Sequence, residues 1–494
     1  MGIIGTIILF FLFALIFNRY KDNLKLTSSE VVLGWTLSVF AGFVYLFVFK
    51  NYFGNGTIYG DSKNFLQDGL ILGNLAQEDP LQFLKLLIGL DSNNMELLNN
   101  ELAETNIWSY GDNGDFINDN RLIIKINAII SLFSAGNVWI HALIFSAFSY
   151  TGVLLLFQSF KAYCSREKIL FYGLLLFPTI SFWGNGITKE CVMVFSMGLF
   201  FYSFLRMLNI GLNWKMILVA IIAVMLLTFN KPHVGIILLF FSWILLFIRS
   251  KRFGWKEIGL SAIITIFIAT IFSYTPHRIN LVDRTSFKQK DLINLGEGGV
   301  FFINDSAFCA FDYEERHSFT YYESSNRLTI DRATKGKYKL FGDTTFHPFN
   351  APASNQHYDV YHIIPPSSSI IEVNRINYSG VQLIKNIPQA LTNVLIRPYP
   401  WDPGDPLKIL PFIENILFFL FMIYALLNRK TTLIKSDRVI LTYLLFSALA
   451  LLLIIGWTTP ILGAIVRYKI APTLLLFIAL TCLIKPSKPK HENS

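Results

Sequence analysis

Residues 178–204 read PTISFWGNGITKECVMVFSMGLFFYSF, and in them Lys189 and Glu190 stand side by side at the start of a long apolar run. Charge at the threshold of such a run needs a partner or a task, because ionisable groups at membrane depth or at its lip are costly. The run itself is one of many. The 494 residues are 53% hydrophobic and only 15% charged, too little charge to cover a soluble surface of this size, and the mean hydropathy is +0.48. Apolar stretches of about 18 or more residues recur from end to end, the signature of membrane helices. The sequence therefore predicts an all-α polytopic membrane protein with about eleven transmembrane helices, at 3–18, 31–49, 137–159, 168–181, 190–206, 215–229, 233–249, 258–274, 409–427, 439–456 and 466–484.

The net charge of +9 does not point to nucleic acid, since the basic residues are spread over short loops between apolar runs, where they record orientation. With eleven spans threaded, Arg19, Lys21 and Lys25 fall on one side with Lys161, Arg166 and Lys168, with Arg206 and Lys215, with Arg249, Lys251, Arg252 and Lys256, with Arg429, Lys430, Lys435 and Arg438, and with the tail lysines 485, 488 and 490. The expected N-terminus is outside and the C-terminus cytoplasmic. The run at 3–17 has no basic residue before it and no small-residue cleavage site after it, so a membrane helix is expected there rather than a cleaved leader. Cys164, Cys191, Cys309 and Cys482 are scattered without CxxC spacing, which predicts neither a zinc site nor a disulfide framework.

Five regions follow: two N-terminal membrane helices (1–50), an outer loop with surface helices (51–136), central membrane helices (137–274), a large outer loop (275–408), and C-terminal membrane helices with a short cytoplasmic tail (409–494). The first loop carries amphipathic patterns at 64–76 and 79–90, with apolar residues at helical spacing. The second is rich in Tyr, Phe, Ser, Asn and Pro and ends in a helix-like stretch at 380–396.

Charged residues on the outer side form the candidate site. Asp61, in YGDSKNF, is either a helix N-cap or a carboxylate able to deprotonate a hydroxyl or ligate a metal. Lys189 and Glu190 either begin a helix, with Glu190 favouring the positive dipole end and Lys189 snorkelling outward, or Lys189 binds a phosphate with Glu190 tuning it and the turn Gly184–Asn185–Gly186 presenting backbone amides. Lys231 and His233 flank Pro232 in a tight turn. Arg397, Tyr399, Trp401 and Asp402 lie in a proline-stiffened segment, where Arg suits bidentate phosphate contact and Trp suits sugar stacking or the membrane interface. Glu414 begins the next span, as a snorkelling charge or an arginine partner. Arg467 and Lys469 open the last span on the outer side, against the positive-inside trend, and two cations there suit an anion, most simply a lipid-linked phosphate. On this reading Lys189, Lys231, Arg397 and Arg467 share one mouth, with Asp61 and Glu190 as the acidic complement.

The pattern resembles the bacterial membrane glycosyltransferases of the C-type fold (GT-C) and related polysaccharide-locus membrane proteins. The residues that carry the resemblance are YGDSKNF at 59–65, the P, FW, G and KE positions within 178–190, RPYPW at 397–401, and the RYK and P positions from 467 to 472. Asp61 is the one position matched to the family's acidic catalytic residue. It follows the second span, whereas the family usually places it after the first, and Ser62 stands where a second acid is common. The resemblance implies a GT-C-like inner-membrane enzyme that moves sugar from a polyprenyl-phosphate or polyprenyl-diphosphate donor to a glycan or protein acceptor. Asp61 would be the base, and Arg467, Arg397 and Lys189 would neutralise the leaving phosphate, with Lys469 and Lys231 beside them. A divalent metal on Asp61 is compatible with this, although no second ligand is evident in the sequence. An O-antigen-type polymerase or ligase would need the arginines and could spare Asp61. A transporter or flippase would place charge near the bilayer midplane, and an assembly scaffold would use the 275–408 loop.

Overall fold

The apolar run leading into residue 178 does not form one helix. Phe177 precedes a proline, which disfavours helical backbone, and it is extended at φ −64° and ψ 113°. Pro178 then takes the first-turn position, where its missing N–H is harmless. The predicted span at 168–181 is thus two short helices, Glu167–Leu176 and Pro178–Gly184. The computed structural model of the protein describes residues 2–92, 94–108, 118–249, 281–304, 307–311, 313–322, 324–340, 347–364 and 366–486.

Among these, five helices are long and apolar enough to cross a membrane: Ser28–Tyr52, Val138–Tyr163, Lys189–Ile210, Pro406–Leu427 and Lys435–Thr458. A sixth is the bent pair Leu462–Tyr468 and Ile470–Leu483, which turns by 46°. Gly2–Asn18 and Trp214–Asn230 are helices of 17 residues, and the helix from Pro232 provides a further short apolar segment. The described residues therefore show five or six full-length spans rather than eleven, and the predicted span at 258–274 lies outside them.

We label the elements that frame the site α1 (Ser28–Phe47), α2 (Asp61–Glu78), α3 (Arg121–Ser134), α4 (Val138–Phe160), α5 (Pro178–Gly184), α6 (Lys189–Ile210), α7 (Trp214–Asn230), α8 (Pro232–Arg249), α9 (Ile409–Leu427), α10 (Leu462–Tyr468) and α11 (Ile470–Leu483). The amphipathic pattern at 64–76 is helical as expected: α2 packs on α3 at small residues, where a Cβ on Gly69 would lie 2.5 Å from the Asn127 side chain. The apolar stripe of α9, with Leu410, Ile413, Leu417 and Leu420, is exposed, as a lipid-facing surface would be.

Helix α6 lies against α4 so closely that backbone meets backbone. A Cβ on Gly198 would fall 2.5 Å from the Gly152 carbonyl oxygen, and one on Gly152 would fall 2.5 Å from that of Val194. Small residues allow this approach between apolar helices. Gly198→Ala is expected to lower stability by about 1–3 kcal/mol through overpacking, read as a fall in the thermal unfolding midpoint of the purified protein.

The basic loops meet at one end of the bundle. Lys161 Nζ donates to the Asn23 carbonyl (2.7 Å), Lys430 Nζ to that of Tyr163 (3.1 Å) and Arg166 Nε to that of Lys485 (3.3 Å). Helix α6 runs from this end, at Ile210, to the opposite one, at Lys189.

The all-α expectation is corrected by a seven-stranded antiparallel sheet within the second long loop, formed by β1 (Gly299–Asn304), β2 (Ala307–Phe311), β3 (Phe319–Tyr322), β4 (Arg327–Ile330), β5 (Thr334–Leu340), β6 (His347–Ala351) and β7 (Ser354–Ile364) in the order β3-β4-β7-β1-β2-β5-β6. Its core includes Val300, Phe302, Phe311, Leu328, Ile330 and Val360. Aromatic and β-branched residues suit such a pleated, half-buried surface.

Candidate functional site

Lys189 and Glu190 occupy the first turn of α6, and the backbone around them is tightly fixed. Asn230 Nδ2, at the end of α7, donates to the Lys189 carbonyl at 2.7 Å. The preceding turn packs against α1: a Cβ on Gly186 would meet the Tyr45 ring at 2.7 Å, and one on Gly42 would meet the Asn185 carbonyl at 2.7 Å. Gly186 is therefore required for close packing of this turn against Tyr45.

The start of α2 is tied to the same turn. Ser62 Oγ donates to the Ile187 carbonyl (2.9 Å) and shares a hydrogen bond with the Tyr45 hydroxyl (2.8 Å). Asp61 is the first residue of α2 rather than its cap, and its side chain reaches across to α10, where Arg467 Nη1 donates to Oδ2 at 2.7 Å. The cap reading of Asp61 therefore gives way to a long-range ion pair.

Around Arg467 the charges close into a network. Its Nε lies 3.2 Å from Glu190 Oε1, and Lys231 Nζ lies 3.0 Å from the same oxygen, both contacts being too poorly aligned to count as hydrogen bonds. Glu190 is 1% exposed, and its Oε2 has no hydrogen-bond partner among the described residues. Lys189 Nζ contacts Asp119 Oδ1 at 2.5 Å. Aromatic faces line the cations: Lys231 lies 4.2 Å from the Tyr468 ring centroid, and Arg467 lies 5.3 Å from Tyr468 and 5.8 Å from Trp183. His233, near the start of α8, is in electrostatic reach of Lys231, Asp119 and Glu190. Three carboxylates (Asp61, Asp119, Glu190) face three cations (Lys189, Lys231, Arg467), so these six groups balance in charge. They differ in access: the Asp61 side chain is 52% exposed, whereas that of Glu190 is 1%.

The Arg467 charge holds the Asp61 carboxyl below its usual 3.8 against the opposing push of burial, with Lys189 and Lys231 adding to the effect. Burial pushes Asp119 up, but the Lys189 charge and hydrogen bond outweigh it and the net shift is downward. A depressed carboxylate stabilises the fold above its unfolded value and loses that contribution as pH falls through the lower folded value. The stability difference between the wild type and Asp61→Asn is therefore expected to be constant at neutral pH and to shrink only below about 3.8. Half-exposure limits it to about 1 kcal/mol or less. Unfolding midpoints against pH for the two proteins measure it.

The remaining predicted residues form a second group. Lys469 sits at the bend between α10 and α11 and turns away from Arg467, with Nζ donating to Asn415 Oδ1 at 2.6 Å. Asn415 Nδ2 in turn donates to the carbonyls of Ile396 (2.8 Å) and Arg397 (3.0 Å). Glu414 neither snorkels nor pairs with an arginine: its Oε2 accepts from the Thr179 N–H and hydroxyl, both at 2.6 Å, at the N-terminus of α5. Arg397 lies 3.9 Å from Asp402 and 5.5 Å from the Tyr399 ring centroid. Trp401 stacks on Tyr399 and is 79% exposed. Arg467 thus pairs with Asp61 and Glu190, Lys231 with Glu190 and Lys189 with Asp119, while Arg397, Lys469, Glu414 and Trp401 join none of these contacts among the described residues.

Asp119 was missed by sequence reasoning because it lies in a polar acidic stretch where one more carboxylate carries no signal. Tyr468 was within the quoted RYK, but its ring gives no charge signal. For a divalent metal the donor set does not fit: Asp61 faces a guanidinium, and no group of three or more His, Cys, Asp or Glu side chains suited to a metal occurs among the described residues. No family model, curated protein or solved structure matches the chain.

Proposed function

We propose that the protein is an integral-membrane glycosyltransferase of surface polysaccharide or glycoconjugate synthesis, with a GT-C-like arrangement, acting at the outer face of a bacterial inner membrane on a polyprenyl-phosphate-linked sugar donor. The observation that carries the reading is the Asp61–Arg467 pair at 2.7 Å, a half-exposed carboxylate beside a cationic group at one end of an apolar bundle. Such a pair holds both parts that transfer needs, a base for the acceptor hydroxyl and a cation for the leaving phosphate.

In the proposed step the acceptor's hydroxyl proton passes to Asp61 and its oxygen bonds to the anomeric carbon. The bond from that carbon to the phosphate oxygen breaks, and the electron pair leaves on the phosphate. The negative charge that Asp61 loses is the charge the phosphate gains, and Arg467, Lys231 and Lys189 offset it there. The exposed α9 stripe is compatible with a site that opens toward lipid.

An O-antigen-type polymerase or ligase is the nearest alternative and would tolerate Asp61→Asn. A transporter or flippase is less well supported, because the charges gather at helix ends. The test is release of decaprenyl phosphate from a panel of decaprenyl-phosphate sugars, followed by mass spectrometry with the protein in lipid nanodiscs. Release that disappears in Asp61→Asn supports transfer with Asp61 as base. Release unaffected by that substitution removes Asp61 from the mechanism.

A further inference from the structure

Arg467 serves two carboxylates that are not equivalent. Its Nε faces Glu190, which is buried and also contacted by Lys231, so an inaccessible carboxylate lies on that side of the guanidinium. Its Nη1 faces Asp61, whose carboxylate is half-exposed and makes no other hydrogen bond among the described residues. Ser62 anchors the start of α2 to the Ile187 carbonyl and the Tyr45 hydroxyl, so Asp61 can leave Arg467 by a side-chain rotation with the helix in place. Among the described residues these three carboxylates and three cations already face one another. An arriving phosphate therefore has to compete with a resident carboxylate, and Asp61 is the one able to yield.

We propose that Asp61 is a placeholder for the substrate phosphate: it occupies the accessible side of Arg467 in the resting protein, and the lipid phosphate displaces it. This rests on the reading that Arg467 receives a lipid-linked phosphate. Displacement does two things at once. It seats the donor on the guanidinium, where a fork of donors suits phosphate oxygens. It also frees a carboxylate that was held ionised and weakly basic by its partner, beside the donor that has just arrived. An acceptor hydroxyl or water would then meet an active base only when donor is bound.

A resident competitor weakens apparent affinity by the fraction of time it holds the site. The test is binding of decaprenyl monophosphate, against decaprenol as the uncharged control, to the full-length protein in nanodiscs, for wild type, Asp61→Asn, Arg467→Gln and the double variant. The expected result is that Asp61→Asn binds the phosphate about tenfold more tightly, that decaprenol binding is unchanged, and that the gain vanishes when Arg467 is also replaced. Arg467→Lys serves as the second background if the glutamine variant is not recovered folded, since its shorter ammonium stays with buried Glu190. Equal or weaker phosphate binding by Asp61→Asn overturns the placeholder while leaving the transferase reading intact. A gain that persists without Arg467 reduces it to general charge and also overturns it. Phosphate binding no better than decaprenol in every variant removes the reading on which the placeholder rests, and the placeholder with it.

Discussion

Arg467→Ala is expected to abolish the proposed transfer and to destabilise the protein by about 3–5 kcal/mol, the cost of leaving a buried charge without its partner. The stranded group is Glu190, which is 1% exposed and whose Oε2 already lacks a hydrogen bond. Lys231 remains 3.0 Å away and offsets part of the loss. Arg467→Lys separates the two roles. It restores a cation near Glu190 and most of the stability, but an ammonium cannot present the guanidinium fork to two carboxylates or to a phosphate, so transfer stays low. Unfolding midpoints in detergent and lipid-linked donor accumulating in the host, at matched membrane abundance, give the two readouts. Full stability in Arg467→Ala would mean that the network is not a structural unit.

The second large effect is expected in activity alone. Asp61→Asn removes the proposed base and should lower transfer by about 10²–10⁴-fold. Its side chain is half-exposed and the start of its helix is held by Ser62, so the protein should remain folded and abundant. Surface glycan falling and donor accumulating, with unchanged protein level, is the expected pattern. A normal glycan in this variant alongside loss in Arg467→Ala would favour the polymerase or ligase.

These two residues were legible in the sequence because charge is conspicuous in an apolar chain. Asp61, Lys189, Glu190, Lys231 and Arg467 stood out individually, and the helices that carry them bring them together at one end. Lys469 shows the limit of that reasoning. Residues two apart on a helix face nearly opposite sides, about 200° round the axis, so Lys469 meets Asn415 while Arg467 meets Asp61. Asp119 was illegible because it joins Lys189 from 70 positions away out of a stretch without periodicity. The break at Phe177 was marked by Pro178, but hydropathy averages over backbone geometry and merged the two helices. The sheet left only clusters of aromatic and β-branched residues such as YDVYHII at 358–364. Pairing between strands distant in sequence, such as β1 with β7, leaves no local trace.

That pairing has a further consequence. Gly299 and Ile364 are register partners, so the chain enters and leaves the sheet across a single strand spacing, about 5 Å. A unit whose two ends lie side by side behaves as a cassette: it can lengthen, shrink or be exchanged while the flanking helices keep their places. Evolution could then vary what this protein meets outside the bundle without disturbing the charges held at its end.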